Sequence, residues 1–216
     1  MNLTKFIDHT ILKPNCTKAD IERICEEADL YQFPTVCIPP FFVKDAANIL
    51  EDKLVKVGTV IGFPMGYSTT AAKVEEIKRS INDGADEVDV VVNVCAIKSE
   101  QWNYVRNDID SATRAVHLKG KVIKIILETC LLTASEIKRV CDFCTEIGVD
   151  YVKTSTGFNG EGATNETVAY LKSLLPSNIK IKASGGIKSQ NQAIELIEAG
   201  ANRLGCSSSL QIVEGH

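Results

Sequence analysis

The sequence predicts a (β/α)8 barrel, a single domain spanning residues 1–216, on three observations. Short β-branched strand segments alternate with amphipathic helical segments from end to end, with no linker between them. A glycine-led unit recurs after three of the helical segments: Gly84-Ala85-Asp86-Glu87-Val88, Gly148-Val149-Asp150-Tyr151-Val152 and Gly200-Ala201-Asn202-Arg203-Leu204. Each glycine suits a helix C-terminal stop, and each run then enters a strand. The pairs number eight, which favours a closed barrel over an open doubly wound sheet, although alternation alone does not reveal closure.

The elements follow in order. Residues 7–10 open the chain's pattern. Thr17 reads as an N-cap for a helix bearing Ile21, Ile24, Cys25 and Ala28 at helical spacing. A strand is expected at 35–38, a helix at 41–50 and a β-branched strand at 55–61, ending in the loop residues Gly62-Phe63-Pro64-Met65-Gly66. Val74, Ile77 and Ile81 mark the next helix, and 87–92 the fourth strand. Trp102, Val105, Ile109, Ala112 and Val116 form one stripe of a long helix before a strand at 121–128. Thr133 and Glu136 form a capping box ahead of Ile137, Val140, Cys141 and Cys144. Strands at 149–154, 179–183 and 203–205 complete the set. They are separated by helices bearing Val168, Leu171 and Leu175, and then Ala193, Ile194 and Ile197, the latter capped by Ser189 with Gln192.

Composition narrows the function. With 44% hydrophobic and 24% charged residues, the chain is an ordinary globular protein. A net charge of −4 gives no footing for nucleic acid, so any anion site is local. No apolar run approaches the roughly 20 residues of a membrane span, and the first ten residues lack the features of a secretory signal. Eight scattered cysteines without framework spacing fit a reducing cytoplasm.

Strand parity gives the sharper signal. In the fourth strand Val88, Val90 and Val92 share a face opposite Glu87, Asp89, Val91 and Asn93; in the seventh, Ile179, Ile181 and Ala183 oppose Lys180, Lys182 and Ser184. Packing the apolar faces under helices turns Asp89 and Lys182 into the barrel, with Lys124 and Lys153 joining them. Ionised groups there are costly unless paired, so such a set points to a site. Crowded, half-desolvated ammonium groups favour one neutral, nucleophilic amine, which condenses with a carbonyl to a Schiff base. Asp89 is placed to move protons. Spacing does not decide whether Lys153 or Lys182 is the nucleophile.

An anion site has its own signature. Gly157 follows the sixth strand, Gly185-Gly186 the seventh, and Gly205-Cys206-Ser207-Ser208-Ser209 the eighth, where it opens a terminal helix. Loops after strands seven and eight plus a helix N-terminus form a recurrent phosphate cradle of this fold. Asp8 and Cys37 are expected to face the interior, where Cys37 lines the pocket or simply packs. Cys141-x-x-Cys144 lies on an apolar helical stripe and reads as core, as does Trp102. His9, His117 and His216 are too dispersed for a metal site, and none is expected.

The motifs resemble the deoxyribose-phosphate aldolase family of metal-independent class I aldolases. The likeness runs through Ile7-Asp8-His9-Thr10, Val36-Cys37-Ile38, Ile61-Gly62-Phe63-Pro64, Glu87-Val88-Asp89, residues 124–129, Val152-Lys153-Thr154-Ser155-Thr156-Gly157-Phe158 and Lys182-Ala183-Ser184-Gly185-Gly186. It implies reversible cleavage of 2-deoxy-D-ribose 5-phosphate to D-glyceraldehyde 3-phosphate and acetaldehyde, without a cofactor. It also implies the Schiff base at Lys153, pKa control and proton transfer by Lys182, and a proton-relay role for Asp89. Lys124 would position substrate; Gly157, Gly185, Gly186, Ser207 and Ser208 would hold phosphate; Asp8, Cys37 and Thr154 complete the expected substrate-binding set. A homodimer is a family-level expectation. The alternatives are another Schiff-base or transaldolase-like aldolase and a non-catalytic phosphosugar-binding barrel. Departures are Lys188 where arginine is common, Glu161 in a glycine-rich loop, Ile38-Pro39-Pro40 in place of Val-Asn-Pro, and the ending Glu214-Gly215-His216 without a tyrosine.

Overall fold

Eight short segments take up extended backbone: β1 (Ile7–Thr10), β2 (Thr35–Ile38), β3 (Lys56–Ile61), β4 (Glu87–Val91), β5 (Val122–Ile126), β6 (Tyr151–Lys153), β7 (Lys180–Ser184) and β8 (Arg203–Cys206). In the computed structural model, which describes residues 1–215, each pairs in parallel with its sequence neighbours and β8 closes onto β1. His216 lies outside the described residues. Register sets the interior: Asp89 pairs with Lys124, Ile126 with Lys153, Lys153 with Lys182, Lys182 with Arg203, and Asp8 with Gly205.

The other parity builds the main core. Val88, Val90, Ile123, Ile125, Val152, Ile181, Ala183 and Leu204 point outward and are buried under the helices. Each such valine, isoleucine or leucine contributes about 1.5–3 kcal/mol of burial. The helices are α1 (Lys18–Tyr31), α2 (Val43–Ile49), α3 (Thr70–Asn82), α4 (Val94–Lys98), α5 (Trp102–His117), α6 (Ala134–Ile147), α7 (Asn165–Leu174), α8 (Gln190–Ala199) and α9 (Ser209–Glu214). Thr17 with Asp20 and Thr133 with Glu136 close capping boxes, and Ser189 accepts from Gln192 N. Gly148 stops α6 at φ 79°, a backbone that favours glycine. Among the described residues no helix is long and apolar enough to cross a membrane.

The differences from expectation have local causes. The fifth strand ends at Ile126 rather than 128, because Glu128 turns to φ 57° and opens a 3-10 turn at Thr129–Leu131. Asn93 leaves the fourth strand to cap α4, accepting from Ala96 N at 3.0 Å, and α4 had no counterpart in the sequence reading. On α3 Lys73 is fully buried beside Ile77, while Val74 is half-buried. Trp102 is also half-buried; it packs against the core and carries the Arg139 guanidinium 4.3 Å above its ring. Cys141 and Cys144 are free, buried core thiols. His9 lies on the outer side of β1, bonded to Glu27 at 2.7 Å, and His117 meets Asp150 at 3.0 Å on the surface.

Candidate active site

The site is a buried lattice of charge strung across the barrel. Asp89 on β4 lies at its centre. Its Oδ2 accepts from Lys153 Nζ at 2.7 Å and Lys182 Nζ at 2.8 Å, and its Oδ1 from Lys124 Nζ at 2.9 Å. Towards the floor Lys124 also contacts Glu87 at 2.6 Å, and Lys182 contacts Asp8 at 2.5 Å. Arg203 on β8 joins Asp8 at 2.5 Å and Glu87 at 3.5 Å, and donates to Thr35 Oγ1 at 3.0 Å. The arrangement follows from parity: these residues stand on alternate positions of their strands, facing inward. Gly205 keeps the space open, since a Cβ there would sit 3.1 Å from Lys182 Cε.

Electrostatics separates the lysines. Burial pulls the Lys153 ammonium below the ordinary lysine range; the opposing pull of Asp89 does not restore it, and Lys182 adds to the depression. Burial also acts against Lys182 and Lys124. There, however, carboxylates prevail: Asp8 and Asp89 hold Lys182 well above the usual range, and Asp89 with Glu87 raises Lys124. Burial would push the Asp89 carboxyl up, but Lys124, Lys153 and Lys182 outweigh it and hold the group well below its ordinary value. Asp8 is likewise lowered by Lys182 and Arg203 against its own burial. The lattice therefore contains one weakened ammonium beside Asp8, Asp89, Lys124 and Lys182, which their partners hold ionised.

Above Lys153 opens a pocket of about 260 Å³, walled by the loops after β6, β7 and β8 and, across from them, by Leu12 and Lys13 after β1. Gly157, Gly185, Gly186, Ser207 and Ser208 all line it, together with Lys153, Ser184 and Lys188. Gly185 has φ 88°, and a Cβ there would lie 2.9 Å from Gly162 Cα, so two loops meet through glycine. The β6 loop is held by Glu128, whose carboxylate accepts from Thr156 N at 3.0 Å, from the Thr156 hydroxyl, and from Asn159 Nδ2 at 2.9 Å. Backbone amides, hydroxyls and three lysines, Lys13, Lys153 and Lys188, around one small cavity suit an anion.

The structure brings Asp89, Lys124, Lys153 and Lys182 together as parity predicts. Asp8, Cys37, Lys124, Lys182 and Asp89 are buried beneath the pocket and do not line it. Thr154 is also fully buried; its hydroxyl accepts from Ser184 N at 3.1 Å, tying β6 to β7. Sequence reasoning passed over Arg203 and did not use Glu87. Both carried the right signal, since Arg203 stands two positions before Gly205 and Glu87 two before Asp89. The Glu128 clamp had no such signal: it depends on a left-handed turn that brings residue 128 to residues 156 and 159.

Barrel and buried amine together define the class: an enzyme scaffold equipped for amine–carbonyl chemistry beside an anion cradle. The chain belongs to the DeoC/LacD family of aldolases, whose model matches residues 3–213. It is 46% identical over 217 residues to a deoxyribose-phosphate aldolase of Thermococcus gammatolerans, covering all of this chain and 96% of that one. To the deoxyribose-phosphate aldolase of Finegoldia magna it is 46% identical, with both chains fully covered. Among solved structures, the tetrameric deoxyribose phosphate aldolase from Aeropyrum pernix superposes with a TM-score of 0.92 at 33% identity, over 98% of this chain and 89% of that one. The barrel is thus the fold of this family.

Proposed function

We propose that the protein reversibly cleaves 2-deoxy-D-ribose 5-phosphate to D-glyceraldehyde 3-phosphate and acetaldehyde, with Lys153 as the Schiff-base nucleophile. The neutral amine attacks C1 of the open-chain sugar, and loss of water leaves an iminium. Removal of the C3 hydroxyl proton breaks the C2–C3 bond, and its electron pair passes to the iminium nitrogen as an enamine. Glyceraldehyde 3-phosphate departs, the enamine takes a proton at C2, and hydrolysis releases acetaldehyde and the amine. Because the iminium is the electron sink, the step needs no added cofactor or metal.

Asp89 and Lys182 share the proton traffic through water. Lys182, held ionised, also keeps Lys153 depressed. Gly157, Gly185, Gly186, Ser207 and Ser208 bind the phosphate, with Lys188 as a point charge rather than a bidentate fork. Lys124, Asp8 and Thr154 act on substrate from beneath, by fixing Asp89, Lys182 and the β6–β7 seam, and Cys37 is buried beside the same charges. The observation that carries the reading is that Lys153, alone among the cations of the buried lattice, lines the pocket. A single domain, a cytoplasmic setting and a homodimeric assembly belong to the same proposal, and sedimentation tests the last.

The decisive measurement is peptide mapping after incubation with deoxyribose 5-phosphate and sodium borohydride in EDTA. The expected adduct is on Lys153 and is absent in Lys153→Ala. An adduct on Lys182 reverses the two roles, and a folded protein with no adduct defeats the Schiff-base mechanism.

A further inference from the structure

The charge balance inside the barrel gives a role to Arg203, which the reaction scheme does not use. Four cations, Lys124, Lys153, Lys182 and Arg203, face three carboxylates, Asp8, Glu87 and Asp89. The most open side chain of the group, Arg203, is 13% exposed, so solvent compensates little. An unbalanced buried ion carries a desolvation cost that its neighbours cannot offset. One proton is therefore in excess, and a guanidinium does not give it up.

Contacts decide which lysine yields. Lys124 reaches Glu87, Asp89 and, at 3.9 Å, Asp8; Lys182 reaches Asp8 and Asp89; Lys153 reaches only Asp89, which it shares with the other two. Arg203 meanwhile occupies Asp8 and Glu87 from the floor. The remaining groups facing this set leave the balance unchanged. Burial pushes the Cys37 thiol up, and likewise that of Cys206, on the outer side of β8 behind Asp8 and Lys182, to about 12. Tyr151 presents its ring to Lys124 at 5.9 Å, and Lys180, 5.6 Å from the centre of the same ring, is exposed to solvent.

We propose that Arg203 is a positioning residue for the reaction: by occupying Asp8 and Glu87 it leaves the three lysines short of one carboxylate, so that Lys153 is the neutral amine. The inference rests on Lys153 being the Schiff-base lysine. It makes the nucleophile's protonation depend on a side chain at the opposite end of the barrel from the pocket.

The test follows the acid limb of kcat/KM, and of borohydride labelling at Lys153, as a function of pH. Removing a buried positive charge favours protonated Lys153, so Arg203→Met moves the limb to higher pH by about one unit and slows labelling at pH 7 about tenfold, with recovery near pH 9. Arg203→Lys keeps the limb at its wild-type position. Glu87→Gln removes an anion and moves the limb down, and the Arg203→Met/Glu87→Gln double variant brings it back. An Arg203→Met protein slowed equally at every pH, its limb unmoved, overturns the proposal and leaves Arg203 a packing residue. If that variant does not fold, Glu87→Gln decides: a limb unmoved or raised is equally fatal. Absence of any wild-type adduct at Lys153 would instead defeat the Schiff-base reading itself.

Discussion

Two sets of buried charge meet at β4, and they differ in how they balance. Outside the barrel, Lys73 of α3 donates to Asp108 Oδ2 of α5 at 2.7 Å and to the Val91 carbonyl at 2.8 Å, while the Thr70 hydroxyl donates to Asp108 Oδ1 at 2.7 Å. One cation meets one anion, and both are buried and hydrogen-bonded. Inside the barrel four cations share three carboxylates, and the group nearest the pocket is the least well paired. A closed pair can only hold elements together; an open count leaves an amine whose proton is loosely held. Burial alone therefore says little about function, whereas the balance of what is buried says a great deal.

The closed pair is the easier to break. Lys73→Met strands Asp108 and costs about 3–5 kcal/mol of unfolding free energy, read by urea titration, while Lys73→Met/Asp108→Leu recovers most of it. Borohydride labelling of Lys153 persists in the folded fraction of both variants. A single-variant cost below about 1 kcal/mol would mean that the pair contributes little to the α3–α5 contact and that the contrast with the barrel lattice is false.

Asp89 sharpens the contrast from the other side, because it anchors the barrel lattice and the proposed reaction also uses it. Asp89→Asn lowers kcat/KM at least about 100-fold through loss of proton transfer. It also changes acid unfolding. The folded carboxyl titrates below its ordinary value of 3.8, so its stabilisation is present above that value and is lost as pH falls through the lower folded one. Wild type should thus lose stability steeply below about pH 4, and Asp89→Asn should show a flatter fall over that window. Equal acid slopes in the two proteins would show that the lattice does not hold Asp89 ionised.

The two sets also differ in how far the sequence revealed them. Asp89, Lys124, Lys153 and Lys182 could be read from alternation, because an inward charge on a barrel strand breaks an apolar pattern that is otherwise regular. The barrel itself was legible from a different regularity, eight strand–helix pairs without a linker, together with the glycine-led strand entries. Lys73 was hidden: helical spacing to Ile77 is satisfied equally by Val74 and Lys73, three and four residues before it, and the apolar choice is the one that is half-buried. The choice between Lys153 and Lys182 was hidden more deeply, because it depends on Asp8 and Arg203, which are 195 positions apart and become neighbours only when β8 closes onto β1.

The subtlest test exchanges the proposed nucleophile, Lys153, for an apolar side chain of similar length. Lys153 titrates below its ordinary value of 10.5 in the folded state, so the unfolded chain holds that proton more tightly. By linkage, Lys153 costs stability wherever the unfolded lysine is ionised. The cost is full below the folded value and vanishes as pH rises to 10.5. Lys153→Met removes this cost and leaves three cations facing three carboxylates. It should therefore be inactive yet more stable than wild type by about 1 kcal/mol at pH 7, the gain shrinking toward pH 10.5, as thermal unfolding across pH can show. The same replacement at Lys73 goes the opposite way, active in its folded fraction and less stable. If Lys153→Met instead lost stability at pH 7 on the scale of Lys73→Met, Lys153 would be a closed structural ion pair, and the distinction between the two buried sets would fail.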